Sequence, residues 1–260
     1  MDFGYTIAGL VVGFIVGMTG VGGGSLMTPI LVLGFGVQPA IAVGTDLLYA
    51  AITKSGGIFV HNRKGTIDWR IVGLLAAGSM PASIFAIFLL KQLEQSGVNY
   101  DGLITGSLSV ALILTSMVLL FKNQLLSIGR NERLASLRAL HQKLQTPATI
   151  VAGIVLGVLV TLSSVGAGAL GAAILFLLYP RMTAIRIVGT DIAHAVPLTL
   201  IAGLGHAHLG TIDYMMLAAL LLGSLPGIYL GSHLATRLPD HVIRPALAGM
   251  LLLIGVRMAF

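Results

Sequence analysis

Val43-Gly44-Thr45-Asp46 returns 145 residues later as Val188-Gly189-Thr190-Asp191. At the same offset Gly65-Thr66-Ile67-Asp68 returns as Gly210-Thr211-Ile212-Asp213, and Gly78-Ser79-Met80-Pro81 as Gly223-Ser224-Leu225-Pro226. Upstream, with one residue dropped, Val21-Gly22-Gly23-Gly24-Ser25-Leu26 matches Val165-Gly166-Ala167-Gly168-Ala169-Leu170. A strongly apolar chain that says the same thing twice carries the mark of a membrane transporter built from two structural repeats.

Composition points the same way. Charged residues are 9% of the chain and apolar residues 56%, and the mean hydropathy is +0.98. Soluble domains carry about 25% charged residues, so this chain has too few to cover a surface that faces water. Apolar runs such as 71–90 and 103–121 approach the ~20 residues a helix needs to cross the ~30 Å hydrocarbon core. The expected fold class is an all-α polytopic membrane protein.

The net charge of +6 does not point to nucleic acid, because the basic residues sit in the connections between apolar runs. With no cysteine there is neither a disulfide nor a thiolate metal site. No metal site and no cofactor are assigned. The chain starts Met1-Asp2-Phe3 without a basic region or a small-residue cleavage site, and its start is read as the first membrane segment.

The first repeat, residues 1–122, holds an interrupted segment over 5–35 and spans near 39–60, 69–90 and 102–121. The second, residues 147–260, holds an interrupted segment over 147–179 and spans near 184–206, 214–236 and 242–260. Glycines break each interrupted segment in the middle. An arm such as 7–20 or 25–35 has about 14 residues at most, ~21 Å, short of a full crossing. Each is read as a broken or re-entrant helical hairpin with its tip at membrane depth, two short tilted crossings being the alternative. Either returns the chain to the side it left.

Basic residues orient the rest. Arg63, Lys64 and Arg70 lie in one connection, Arg181 and Arg186 in another, and Arg237 and Arg244 in a third. The polar linker 123–146 adds Arg130, Arg133, Arg138 and Lys143. Placing these in the cytoplasm gives a consistent path. Three full spans per repeat then turn the copies in opposite directions, as inverted-topology repeats, with both termini periplasmic. In the linker Leu134, Leu137, Leu140 and Leu144 recur at helical spacing, with the basic residues mostly elsewhere around the axis. Two readings stand, a surface helix docked to anionic lipid and a connector whose charges fix topology.

These residues resemble a known family. Thr19-Gly20-Val21-Gly22-Gly23-Gly24-Ser25-Leu26, Pro29, Ala42-Val43-Gly44-Thr45 and Gly65-Thr66-Ile67-Asp68-Trp69-Arg70 together resemble the TauE/SafE sulfite-exporter family, also called the 4-toluene sulfonate uptake permease family. The resemblance covers both halves. It implies movement of small sulfur anions, such as sulfite, sulfoacetate or another organosulfonate, across a bacterial inner membrane. Two departures stand out: Asp46 and Asp191 replace a small polar residue, and Ala167 and Ala169 stand where the first tip has Gly23 and Ser25.

Candidate site residues follow from the chemistry of a broken helix. Glycines at the break and the start of the next helix leave backbone N–H groups aimed at an anion. Gly22, Gly23, Gly24, Gly166 and Gly168 are therefore expected to bind substrate, or else only to let helices pack closely. Ser25 and Ser164 add hydroxyls, Thr45 and Thr190 flank the aspartates, and Tyr49 shares the face of Asp46. Carboxylates inside a membrane cost ~2.5–3.5 kcal/mol even on the insertion scale, so Asp46 and Asp191 are read as sites for a coupling proton or Na+, or as partners of a cationic side chain. A backbone cap is the structural alternative. Lys54, inside a span, either attracts the anion or snorkels toward the near interface. Its counterpart is Thr199. His194, three residues after Asp191, is read as a proton relay or as a histidine bonded to a helix neighbour.

The leading expectation is a secondary transporter working by alternating access, with membrane lipid around it and a homodimer left open. It is not expected to be an enzyme, since no Gly-x-Ser-x-Gly pattern surrounds Ser25. A passive anion channel would need the same donors and stands as the rival.

Overall fold

The computed structural model of the chain describes residues 3–19, 24–129, 135–234 and 240–259. Every regular element in them is a helix. The first repeat holds α1 (Phe3–Thr19), α2 (Gly24–Pro29, running on as a π-helical turn Ile30–Gly34), α3 (Pro39–Arg63), α4 (Trp69–Gln95) and α5 (Asp101–Gly129). The second holds α6 (Ala135–Ser163), α7 (Ala169–Leu178), α8 (Ala184–His208), α9 (Tyr214–Leu234) and α10 (Asp240–Ala259).

Five of the described helices are long and apolar enough to cross a membrane, in α4, α5, α6, α8 and α9. Their outer faces carry exposed Phe85, Phe88, Met117, Phe121, Leu204 and Leu222. A surface so continuously apolar suits lipid and not water. The chain is a multi-pass membrane protein, as its composition requires.

The duplication in sequence is a duplication in elements. Helices α3 and α8 begin and end 145 residues apart, and α4 and α9 begin 145 apart. The halves do not stand side by side; they interleave. Helix α1 of the first half lies along α9 of the second, and α6 of the second lies along α4 of the first. Small residues make this possible. Gly9, Gly13 and Gly17 on α1 meet the backbone of Leu220, Ser224 and Ile228, while Gly223, Gly227 and Gly231 meet Thr6, Leu10 and Phe14. A Cβ at any of the six would fall under 3.0 Å from main chain. Bilayer lipid supplies no hydrophobic drive between helices, so close backbone contact is what holds such a pair.

Between these pairs, α3 and α8 cross the middle antiparallel, with Gly57 against Ile192 and Gly203 against Leu48. Helices α5 and α10 pair antiparallel as well. Ser109 donates to the Gly255 carbonyl, and Ser116 to Ala248 at 2.8 Å.

The second interrupted segment is a hairpin. Gln145 Nε2 donates to the Leu178 carbonyl at 2.6 Å and Thr149 Oγ1 bonds the Tyr179 hydroxyl at 2.8 Å, closing its base. The expected arms have about 14 residues at most; of the observed ones, only the returning arm is that short. The entering arm is part of one 29-residue helix, in which Pro147 is internal, and the returning arm α7 has 10 residues. Pro147 removes an N–H and crowds the carbonyl one turn back, which a membrane helix absorbs at one position while neighbouring helices hold its shape. Residues 123–129 prolong α5 and 135–146 open α6, so the described parts of the expected surface helix continue these two helices. Arg130, Arg133 and Leu134 lie outside the described residues, as do Gly22 and Gly23 of the first tip.

Candidate functional site

The second tip, residues 164–168, is built by backbone that only small residues tolerate. Ser164 has φ 57°, Gly166 φ 118° and Gly168 φ 139°. Helix α7 then starts with the Gly171 N–H bonded to the Gly166 carbonyl at 3.0 Å and the Ala172 N–H to that of Gly168 at 3.1 Å. The first-turn donor of Gly171 is thus satisfied by the tip's own carbonyl, and the Ala172 bond is the first of the helix itself. Ser163 is likewise turned inward, donating to Leu159 and accepting from the Val165 N–H.

This tip reaches into the other half of the molecule. Lys54 of α3 donates from Nζ to the Ala167 carbonyl at 2.5 Å. The lysine does not snorkel to the interface. Its positive charge acts on both buried carboxyls, Asp46 and Asp191. The counterpart Thr199 bonds its own helix at Ala195, so the cation is one-sided.

Asp46 and Asp191 are both buried, at 0% and 3% exposure. Asp46 Oδ2 accepts from Thr28 Oγ1 of α2 at 2.5 Å, and its carboxyl faces Ser164 of the opposite tip. Asp46 Oδ1 and Ser164 Oγ have no hydrogen-bond partner among the described residues. Asp191 lies against Gly171 of α7, where an added Cβ would land on its Oδ1. Neither aspartate is a helix cap, since each sits eight positions into a helix. Ser25, at the start of α2, is buried. Gly24 opens the same helix.

A second polar layer lies one turn further on. His194 Nε2 bonds Ser79 Oγ of α4 at 2.8 Å, with both residues buried. At the equivalent place Tyr49 faces Ser224 of α9, though neither hydroxyl finds a partner within hydrogen-bond distance among the described residues.

Thr45 and Thr190 serve the seams between halves. Thr45 Oγ1 accepts the Asp213 N–H at 3.1 Å, and Thr190 Oγ1 accepts the Asp68 N–H at 3.0 Å. Gly44 and Gly189 let each loop approach, against Thr211 and Thr66 respectively. Each recurring Gly-Thr-Ile-Asp loop therefore docks on the recurring Val-Gly-Thr-Asp of the other half. A histidine holds each docking loop in shape from its own half, His61 Nδ1 to Thr66 Oγ1 and His206 Nδ1 to Thr211 Oγ1, both at 2.8 Å. The seams differ. His206 also bonds the Thr161 carbonyl through Nε2 at 3.0 Å, whereas Asp68 is bridged to Arg186 at 3.4 Å near the surface.

The structure brings Lys54, Asp46, Asp191, Ser164 and the second tip into one region and places Thr45 and Thr190 at its two edges. Sequence reading missed Thr28, Gly171, Ser79 and Ser224. The last two belong to a repeated motif, Gly-Ser-x-Pro, that was seen without being given a role. Thr28 and Gly171 have no counterpart in the other half to single them out.

Comparison with known proteins fits this architecture. The family described as "Sulfite exporter TauE/SafE" matches residues 5–258. A probable membrane transporter protein of Bacillus subtilis, YjnA, is 38% identical over 258 residues, 99% of this chain and 100% of the relative. A second from that organism, YdhB, is 28% identical over 93% of this chain and 96% of its own length. A probable membrane transporter protein of Methanocaldococcus jannaschii is 27% identical over 97% of this chain and 93% of the relative. No solved structure matches the chain.

Proposed function

Because the chain belongs to the TauE/SafE sulfite exporter family, we propose that it is a secondary transporter of small sulfur-containing anions in the bacterial inner membrane. Sulfite, sulfoacetate or another organosulfonate is the expected cargo. The observation that carries this reading is Lys54, a cation held at the tip of the opposite half beside two buried carboxyls. An oxyanion drawn to that ammonium meets the hydroxyls of Ser164 and Thr28 and the glycine-rich tip within the same region. Buried charge is costly in a membrane and is kept where an ion or a proton passes.

Alternating access is supported by the seams. The halves are read as inverted repeats, and each end of the α3–α8 pair is closed by one docked loop. Opening one seam while the other stays shut would expose the same central residues to one side at a time. A passive channel needs a continuous polar path, and here Thr45, Asp46, Ser79, Thr190 and Asp191 are buried. Both termini are placed in the periplasm by the distribution of Lys and Arg.

The test is uptake by proteoliposomes loaded with one sulfur anion and offered labelled sulfite or sulfoacetate under proton or Na+ gradients. Accumulation above equilibrium is expected, with loss on Lys54→Ala. Equilibration that no gradient can drive uphill would make the protein a channel.

A further inference from the structure

Six buried side-chain oxygens have no hydrogen-bond partner among the described residues, and four of them line one side of α3. They are Asp46 Oδ1, Ser164 Oγ, Ser224 Oγ and the Tyr49 hydroxyl. Asp46 and Tyr49 stand one turn apart on the same face of that helix. The Asp46 carboxyl accepts from Thr28 of α2 at 2.5 Å and faces Ser164 of the second tip, while Tyr49 faces Ser224 of α9. Packing agrees with this placement: Tyr49 shares one core cluster with Leu26 and Met27 of α2 and with Val165, the neighbour of Ser164. None of the four residues is more than 2% exposed. A polar atom at membrane depth is costly without a partner, and four in one layer call for a ligand.

The equivalent layer of the other half is closed. Ser79 and His194 stand 145 residues from Ser224 and Tyr49, and they bond each other at 2.8 Å. Ala172 stands in the second half where the first has Thr28. Asp191 Oδ1 also lacks a partner among the described residues, but it lies against the bare main chain of Gly171. The duplicated layer thus satisfies itself on one side and leaves a carboxylate and hydroxyls free on the other.

The count of charges points to a cation. Two carboxyls, Asp46 and Asp191, stand against one ammonium, Lys54, which bonds the Ala167 carbonyl and forms no ion pair with either among the described residues. The histidines are engaged elsewhere, His194 with Ser79, and His61, which lies against Gly189, with Thr66. One negative charge is left over, and a monovalent cation at Asp46 removes it. A donor set of oxygens, without nitrogen or sulfur, suits a hard cation, and one carboxylate among neutral hydroxyls suits Na+ better than a divalent ion.

We propose that Asp46 Oδ1, the hydroxyls of Thr28 and Ser164 and, one turn on, those of Tyr49 and Ser224 form a Na+ site that joins the two halves. The inference rests on the transport reading, in which Na+ becomes the coupling ion. Thr28, Asp46 and Tyr49 belong to the first half, Ser164 and Ser224 to the second, so the ion ties one to the other. With Asp46 neutralised, the Lys54 ammonium is opposed by one carboxyl instead of two and is freer to seat an anion. Na+ and the anion therefore each favour binding of the other, by the reciprocity of linked equilibria.

The site is tested first without substrate, by thermal unfolding of the full chain in detergent with NaCl, KCl or choline chloride at equal ionic strength. Na+ alone should raise Tm, increasingly with concentration. Asp46→Asn, Ser164→Ala and Ser164→Gly should each abolish the rise, whatever they do to the starting Tm; glycine at 164 accepts the φ of 57° while removing the hydroxyl. Ser79→Ala, which breaks the equivalent layer of the other half, should keep the rise. An equal rise with K+ or choline, a rise that survives Asp46→Asn, or stability that follows pH but not Na+ overturns the site. The second measurement is exchange of labelled sulfite by proteoliposomes, expected to slow when choline replaces Na+ on both sides. Exchange indifferent to Na+ overturns this inference and leaves the transport reading standing. Failure to exchange either sulfite or sulfoacetate, with the Na+ rise intact, overturns the transport reading and leaves the ion site standing.

Discussion

Thr45→Val and Thr190→Val each remove one acceptor from one seam, and the two seams lie at opposite ends of the α3–α8 pair. Valine keeps the shape of threonine without its oxygen. When the Thr45 seam opens, water reaches the Asp213 N–H, since Asp213 is already exposed. The lost bond therefore contributes the net value of a neutral hydrogen bond, about 0.5–1.5 kcal/mol. At 1.4 kcal/mol per tenfold, each substitution shifts the open-to-closed ratio at its own end by about 2- to 12-fold. The seams should not respond equally. The Thr190 seam keeps a second link between the halves, the exposed Arg186–Asp68 bridge, worth about 0–1 kcal/mol. At the Thr45 seam the His206 bonds to Thr211 and Thr161 stay within the second half. Thr45→Val is therefore expected at the top of the range and Thr190→Val near the bottom. The chain has no cysteine, so Ala51→Cys, buried between Asp46 and Lys54, gives a clean reporter. A membrane-impermeant maleimide added from one side or the other should label it faster at the end whose threonine was changed. Equal labelling from both sides in both variants, or acceleration at the wrong end, would refute the assignment of these loops as opposing closures.

Three further outcomes are expected. Gly223→Leu should prevent α1 from seating on α9, because its Cβ alone would enter the backbone of Thr6; loss of a folded monodisperse peak, or a fall in Tm from overpacking of about 1–3 kcal/mol or more, checks it. Thr28→Val should weaken anion transport without abolishing it, by leaving Asp46 Oδ2 buried without its donor, and should lower stability by about 1–3 kcal/mol in a denaturation assay. Gly171→Ala should push the Asp191 carboxyl away from its seat, seen as impaired sulfite uptake at near-normal expression, whereas Gly249→Ala on α10, where an added Cβ meets nothing, should leave uptake unchanged.

The sequence carried the helices well, because spans in a bilayer are set by length and apolar content. The expected spans at 39–60, 69–90 and 184–206 are α3, α4 and α8 to within a few residues. Repeats were legible for the same reason that the seams are: a motif needed at both ends of a pseudo-symmetric molecule is kept twice. What the motifs touch was not legible. Thr45 and Thr190 read as site residues beside aspartates, yet their oxygens accept from loops 168 and 122 positions away. Proximity in sequence says nothing of a partner supplied by the other half. Lys54 was ambiguous because a long side chain can snorkel either way, and only the position of Ala167 settles its direction. Thr28 and Gly171 were missed because their roles depend on which helix lies opposite.

The interleaving of the halves also sets an order of events during synthesis. Helix α1 ends at residue 19, and α9, the helix its glycine face lies on, begins at 214. At 5–20 residues per second, α9 leaves the ribosome about 10–40 s after α1. For that interval the bare backbone of Gly9, Gly13 and Gly17 has lipid as its only neighbour in the bilayer. Neither half can complete its fold when it is made, because each is finished by the other. Cutting the chain between α5 and α6 should leave two fragments that fail separately and assemble when inserted together.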